Sequence, residues 1–363
     1  MRVLALTKYG RMAASTRQRI MQYRPYLEER GMTIEIEPLL DDALFENSVQ
    51  IGKPPKAGSL LGTYVRRASS LLLRRDFDVL WISYELFPYL PGFFERLAFL
   101  PRRPVVVDYD DAIFHMYDLH RKGFVRWLLA DKLRPLLRSA DTVICGNEYL
   151  RDYAAQFCPN SVIVPTVVDT EVYRPASRSR SSDHPLVIGW IGSPSTWVNV
   201  EPLLPAILAT VERHGAVFRA IGGGPRAKEA QGVEALDWRE EREVQDIQNM
   251  DIGIMPLLDD PFQRGKCGYK LIQYMATGLP VLASPVGVNR DIVAPGQNGF
   301  LATSASEWTT ALEMLLGDAA LRRQLGAAGR KIVEQEYSLR AHQGRVFDLL
   351  SGAVERARRP SVS

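Results

Sequence analysis

Short apolar runs closed by a polar or turn residue recur along this chain, and stretches with a helical period separate them. Residues 2–7 read as a strand. Residues 16–30 read as an amphipathic helix stopped by Gly31, and residues 32–37 alternate as a half-buried strand. Val79–Ser83, Val105–Asp108, Thr142–Cys145 and Val162–Pro165 are short apolar runs of the kind that form parallel strands buried on both faces. From Arg174 to Pro185 the letters turn small, polar and proline-bounded, as at a domain boundary. The alternation then restarts: strand 186–192, helix 200–214, strand 217–221, helix 241–249, strand 252–255, helix 269–277 closed by Gly278, strand 279–283, and two long helices to the end. The expected fold class is α/β, with two similar doubly wound halves. Residues 1–175 form the first domain, 176–185 a linker, 186–338 the second domain, and 339–363 a final helix and tail. In such sheets ligands bind outside the carboxyl ends of the strands, so the strand-to-helix turns are the places to search.

Composition narrows the picture without changing it. The 363 residues are 46% hydrophobic and 24% charged, the balance of a globular protein large enough for two cores. Cys145, Cys158 and Cys267 are odd in number and unpaired in spacing, which argues against a disulfide framework or a zinc site. The opening apolar run is too short for a signal-peptide core, and no window is long and apolar enough to span a bilayer. The expectation is a cytoplasmic protein. A net charge of +3 implies no bulk attraction to nucleic acid. Cations do cluster between residues 52 and 106. There Leu60–Arg75 and Phe93–Leu100, followed by Arg102 and Arg103, are basic and apolar together. Peripheral docking at the inner face of a membrane and core-facing helices with solvated arginines both fit those letters.

Two turns in the second half carry candidate chemistry. Gly192-Ser193-Pro194-Ser195-Thr196 offers backbone N–H groups and hydroxyls to a phosphate, or a simple helix cap. Arg264-Gly265-Lys266-Cys267-Gly268-Tyr269-Lys270 gathers three cations and two glycines just before a helix, where the macrodipole disfavours positive charge unless an anion is held.

The stretches 251–257, 270–284 and 297–301, with Gly222-Gly223-Gly224, Asp141–Asn147 and Val164–Asp169, closely resemble retaining glycosyltransferases of family 4, which have the GT-B fold. The resemblance is dense from 251 to 301 and weakest from about 40 to 75. It implies two Rossmann-like domains facing a central cleft, with the final helix crossing back to the first. A nucleoside-diphosphate sugar would bind the second domain and a hydroxyl acceptor the first. The family's paired glutamates fall on Gly265 and Gln273, so both carboxylates are missing; Gln273 retains the means to bond a ribose hydroxyl. The family's usual diphosphate-binding Arg and Lys are absent from 193–199. Arg264, Lys266 and Lys270 are therefore assigned the neutralising role, with Gly192, Ser193, Ser195 and Thr196 completing the cradle. Trp238, after the third strand of this domain, is placed either on the nucleobase or in the core. In the first domain, Asp108-Tyr109-Asp110-Asp111 and His115 lie where the family has its reacting centre, and crowding of the carboxylates raises one pKa. A helix-capping acidic turn explains the same residues. Asp110, Asp111 and His115 are the catalytic candidates, and Arg17, Tyr84, Glu85 and Asn147 the acceptor-binding ones. Enzymes of this kind generally need no metal. Two rival functions remain open: a nucleotide-sugar epimerase, and a catalytically silent partner protein that has lost the glutamates.

Overall fold

The computed structural model describes residues 1–44, 57–176 and 184–358; most of the expected linker and the extreme C-terminal tail lie outside the described residues. The chain divides into two compact units. The first comprises Met1–Thr166, Arg264–Cys267 and the chain from His342 on, and the second comprises Val167–Gln263 and Gly268–Ala341.

Six strands build the first unit: β1 (Arg2–Tyr9), β2 (Thr33–Leu40), β3 (Val79–Ser83), β4 (Val105–Tyr109), β5 (Thr142–Cys145) and β6 (Ser161–Ile163). They pair in parallel in the order β2-β1-β3-β4-β5-β6. Every residue of β3, β4 and β5 is buried, which is why these strands read as continuous apolar runs. The final helix, Leu339–Arg358, supplies Arg356, whose guanidinium donates to the Thr142 hydroxyl at 2.8 Å within this unit.

The second unit repeats the plan with β7 (Val187–Ile191), β8 (Val217–Ile221), β9 (Val233–Leu236), β10 (Ile252–Met255), β11 (Val281–Ala283) and β12 (Gly299–Leu301). Here the order is β12-β11-β10-β7-β8-β9, again parallel. The helix Tyr269–Ala276 packs its apolar side, with Leu271, Ile272 and Met275, into the core beneath β10 and β11.

Two expected helices form differently. The stretch 16–30 breaks into Ala14–Arg19, a 3-10 turn Met21–Tyr23 and Arg24–Glu29. Pro25 lacks an N–H, and its ring would press on the carbonyl of residue 21 in one continuous helix. The expected helix 200–214 is preceded by 3-10 segments Pro194–Asn199 and Glu201–Leu203, and α-helix runs only from Leu204 to Arg213. Each piece has a proline at its start, where the missing donor costs least. The edge strand β12 was not expected; with three residues it leaves no period to detect.

Candidate active site

Strand order locates the ligand-facing crevice of each unit. In the first, the chain leaves β1 to one side for β2 and returns on the other side for β3, so the topological switch lies at the carboxyl ends of β1 and β3. Lys8, Tyr84 and Glu85 stand there. Glu85 is fully buried. It takes the Lys8 ammonium at 3.1 Å, the Lys132 ammonium at 3.3 Å and the Tyr117 hydroxyl at 2.8 Å. These cations hold its carboxyl below the usual range against the opposing effect of burial. Glu85 therefore stands behind the surface as a positioning group, with its oxygens engaged by protein.

Tyr84 adopts φ +66°, a left-handed conformation uncommon for an aromatic residue. That turn aims its hydroxyl at the Asp110 carboxylate. The acidic turn after β4 is sorted by its partners. Asp108 is locked on Arg19 at 2.8 Å, a buried pair that nothing in the local sequence pattern flagged. Asp111 faces the Lys266 ammonium at 3.6 Å. Asp110 is pushed up to about 7, by burial first and by the Asp111 charge second. It is the group suited to exchange a proton near neutral pH.

His115, one turn further on, has both ring nitrogens engaged, by Asp118 at 2.9 Å and by the Tyr149 hydroxyl at 2.7 Å. Arg17 is buried and donates to the carbonyls of Arg11 and Met12 at 2.9 and 3.0 Å, shaping the loop after β1. Asn147 caps the helix Glu148–Ala155 through its carbonyl oxygen, and its amide nitrogen holds the carbonyls of Gly265 and Lys266 at 2.9 and 3.1 Å. The Cys267 thiol donates to the Asp110 carbonyl at 3.0 Å. The segment 264–267 is thereby seated on the acidic turn. A Cβ at Gly265 would lie 2.4 Å from that of Ala112, and one at Gly146 2.2 Å from the Cys267 sulfur. A side chain at position 265 would collide with Ala112 in this packing.

In the second unit the switch lies between β7 and β10, on either side of which the chain proceeds outward. Gly192 to Thr196 follow β7. The Ser193 and Ser195 hydroxyls are 3.0 Å apart, and Thr196 donates to the Ser193 carbonyl at 2.9 Å. The next turn is pressed against this one. Gly222 has φ +76°, and a Cβ there would sit 2.3 Å from the Gly192 carbonyl oxygen and 3.1 Å from the Trp238 Cβ. Glycines thus let these two turns pack directly on each other. Lys270 lies 5.8 Å over the Trp190 ring. The three loop cations are divided: Arg264 and Lys266 belong to the first unit, Lys270 to the second.

Gln273 is buried in a polar cluster whose centre, Glu243, sequence reasoning missed. The Glu243 carboxylate accepts from the Trp238 indole at 2.5 Å, from the Tyr173 hydroxyl, and from the Gln273 amide at 2.9 Å. A second bond runs from the Gln273 nitrogen to the Tyr173 hydroxyl at 3.2 Å. With its nitrogen fixed on these partners, Gln273 has its carbonyl oxygen as the remaining acceptor. The signal in the sequence was slight: a glutamate five residues after Trp238 in an ordinary charged stretch. Among the described residues, no group of three or more His, Cys, Asp or Glu is arranged to hold a metal ion. No helix there is long and apolar enough to cross a membrane.

Two parallel, doubly wound Rossmann-like units define a GT-B fold. Residues 38–166 match the family described as "Glycosyl transferase 4-like domain" and residues 185–318 the one described as "Glycosyl transferases group 1"; both domains belong to the glycosyltransferases. A D-inositol 3-phosphate glycosyltransferase of Corynebacterium diphtheriae is 26% identical over 234 residues, 53% of this chain and 52% of the relative. The chain thus matches about half the length of that curated relative. Among solved structures, Anabaena HepE in complex with UDP-glucose superposes with a TM-score of 0.72 at 16% identity, covering 97% of this chain and 100% of that one. Sucrose-phosphate synthase from Thermosynechococcus elongatus gives the same TM-score, identity and coverage.

Proposed function

We propose that this chain transfers a sugar, with retention of configuration, from a nucleoside-diphosphate sugar to a hydroxyl acceptor. The observation that carries the reading is the β7/β10 switch point. Its turn at Gly192 is packed on that at Gly222, it is lined by hydroxyls, and Gln273 is held on the helix Tyr269–Ala276 as an oriented acceptor. In this reading Gln273 takes a ribose hydroxyl, Trp238 lies beside the base, and Lys270 neutralises the diphosphate without a resident metal. Asp110 receives the acceptor hydroxyl, with Tyr84 and Glu85 fixing the turn behind it. The uridine nucleotide bound by HepE makes UDP the first donor class to test. The reading extends to a chain that meets the membrane from its periphery.

Thermal unfolding with UDP, GDP, ADP, dTDP and CDP, each with and without EDTA, tests the donor site. A nucleotide at ~100 times its dissociation constant adds about 2.7 kcal/mol to the native state. One diphosphate should raise the midpoint by several degrees, unchanged by EDTA, and Lys270→Glu should abolish the shift. No shift with any nucleotide would sink the donor site. A shift without nucleotide release from any sugar conjugate of the nucleotide that gave it would favour the silent-partner reading.

A further inference from the structure

The segment 119–128, Leu-His-Arg-Lys-Gly-Phe-Val-Arg-Trp-Leu, presents apolar side chains to solvent where a globular surface ordinarily hides them. Trp127 is 79% exposed, Phe124 68%, Leu119 53% and Leu128 39%. The rings of Phe124 and Trp127 lie 5.9 Å apart, so their apolar surfaces adjoin. Arg121, Lys122 and Arg126 are exposed among them, and the segment contains no acidic residue.

This exposure is built in. Both ends of the segment are fastened to one buried group. Tyr117, just before it, bonds Glu85 at 2.8 Å, and Lys132, just after it, approaches Glu85 at 3.3 Å and donates to Glu95 at 2.5 Å and to the Phe87 carbonyl at 2.8 Å. Leu129 and Leu133 are buried beneath. Arg126 donates to the carbonyls of His120 and Arg121 at 2.7 and 3.3 Å, which folds the tip. The apolar face continues around the foot. Tyr89 meets the Tyr117 ring at 6.3 Å, and the exposed Phe93 follows Gly92, which abuts the Lys132 backbone.

We infer that this tip docks the first unit on an anionic lipid bilayer. Aromatic rings settle at the headgroup level, and the interleaved cations meet a negative surface, while the flanking Asp118 and Asp131 are paired with His115 and Arg134. The inference deepens the peripheral-membrane part of the reading above and centres it on residues 119–128, outside the stretches 60–75 and 93–103 that sequence alone suggested, with Phe93 adjoining at its foot. Vesicle binding is measured without donor or acceptor, so its outcome is independent of sugar transfer.

The test is co-sedimentation of the full chain with vesicles of phosphatidylcholine, alone or mixed with phosphatidylglycerol. Binding should require the anionic lipid and weaken with added salt. The double variant F124S/W127S should partition about 10-fold more weakly, and charge removal at Arg121 or Lys122 about 5-fold more weakly per residue. Unfolding midpoint and UDP stabilisation should stay at their unaltered values in these variants, which separates lost docking from lost folding. Absence of binding by the unaltered chain, or equal binding by F124S/W127S, overturns the inference. Self-association without vesicles that the double variant abolishes would assign the face to a protein contact and overturn it as well.

Discussion

The strand ends of the first sheet are backed by charge, and those of the second by glycine and neutral polar groups. Behind β1, β3 and β4 lie Lys8, Glu85, Lys132, Glu95, Arg19 and Asp108, all buried and joined in ion pairs. Behind β7, β8 and β10 lie Gly192, Gly222 and Gly223, with the Glu243 carboxylate satisfied by Trp238, Tyr173 and Gln273. Buried ions are costly to desolvate and are held only by complete partnership, so the first crevice is rigid and intolerant of deletion. Glycines require no partner, and Gly192, Gly222 and Gly223 stand where a Cβ would collide with the protein's own neighbouring turns and rings, so the second crevice is set by close internal packing in place of charge.

That contrast can be broken by paired deletions. Lys132→Ala strands Glu95 and weakens the hold on Glu85, and should cost about 3–5 kcal/mol of stability in denaturant unfolding. Glu243→Gln keeps the shape of its cluster and should cost about 1 kcal/mol, while raising the donor KM more than it changes kcat. Equal stability costs would erase the distinction between the two crevices.

Gly222→Ala tests the second half of the contrast. Its φ of +76° and the 2.3 Å approach to the Gly192 carbonyl leave no relaxed place for a methyl group. The expected loss is ~1–3 kcal/mol in stability, together with weaker nucleotide stabilisation. A variant that binds UDP as before would mean that the close approach serves packing alone.

The smallest effect is read in pH. Asp110 stands at about 7 in the native state against an ordinary 3.8, so the folded protein binds its proton more tightly than the unfolded chain does. Its contribution to stability is greatest below about pH 4 and declines as pH rises through 7. Nucleotide release from the donor should instead rise through the same region as Asp110 ionises, and Asp110→Asn should remove that limb of the profile. A limb that persists in the variant would assign it to another group.

Much of this was legible in the letters. The runs at 79–83, 142–145 and 252–255 coincide with β3, β5 and β10, because strands buried on both faces admit little but apolar residues. Pro25 and the prolines near 200 redirected two helices through a local effect that a reading by period alone passes over. Asp110 was foreseeable as one of three crowded carboxylates. Which of them would carry the raised pKa was not, since Arg19, Tyr84 and Lys266 come from distant parts of the chain.

The sequence by itself determined the two parallel sheets, the turns that matter and the absence of carboxylates at 265 and 273, since period, turn chemistry and residue identity are local properties. Only the tertiary structure decided what surrounds those positions. It set Gly265 against Ala112, fixed the amide of Gln273 with Glu243, enclosed Glu85 and left Trp127 in solvent. The reason is that burial and charge partnership depend on what the folded chain brings within a few ångströms, and no spacing along the chain encodes that directly.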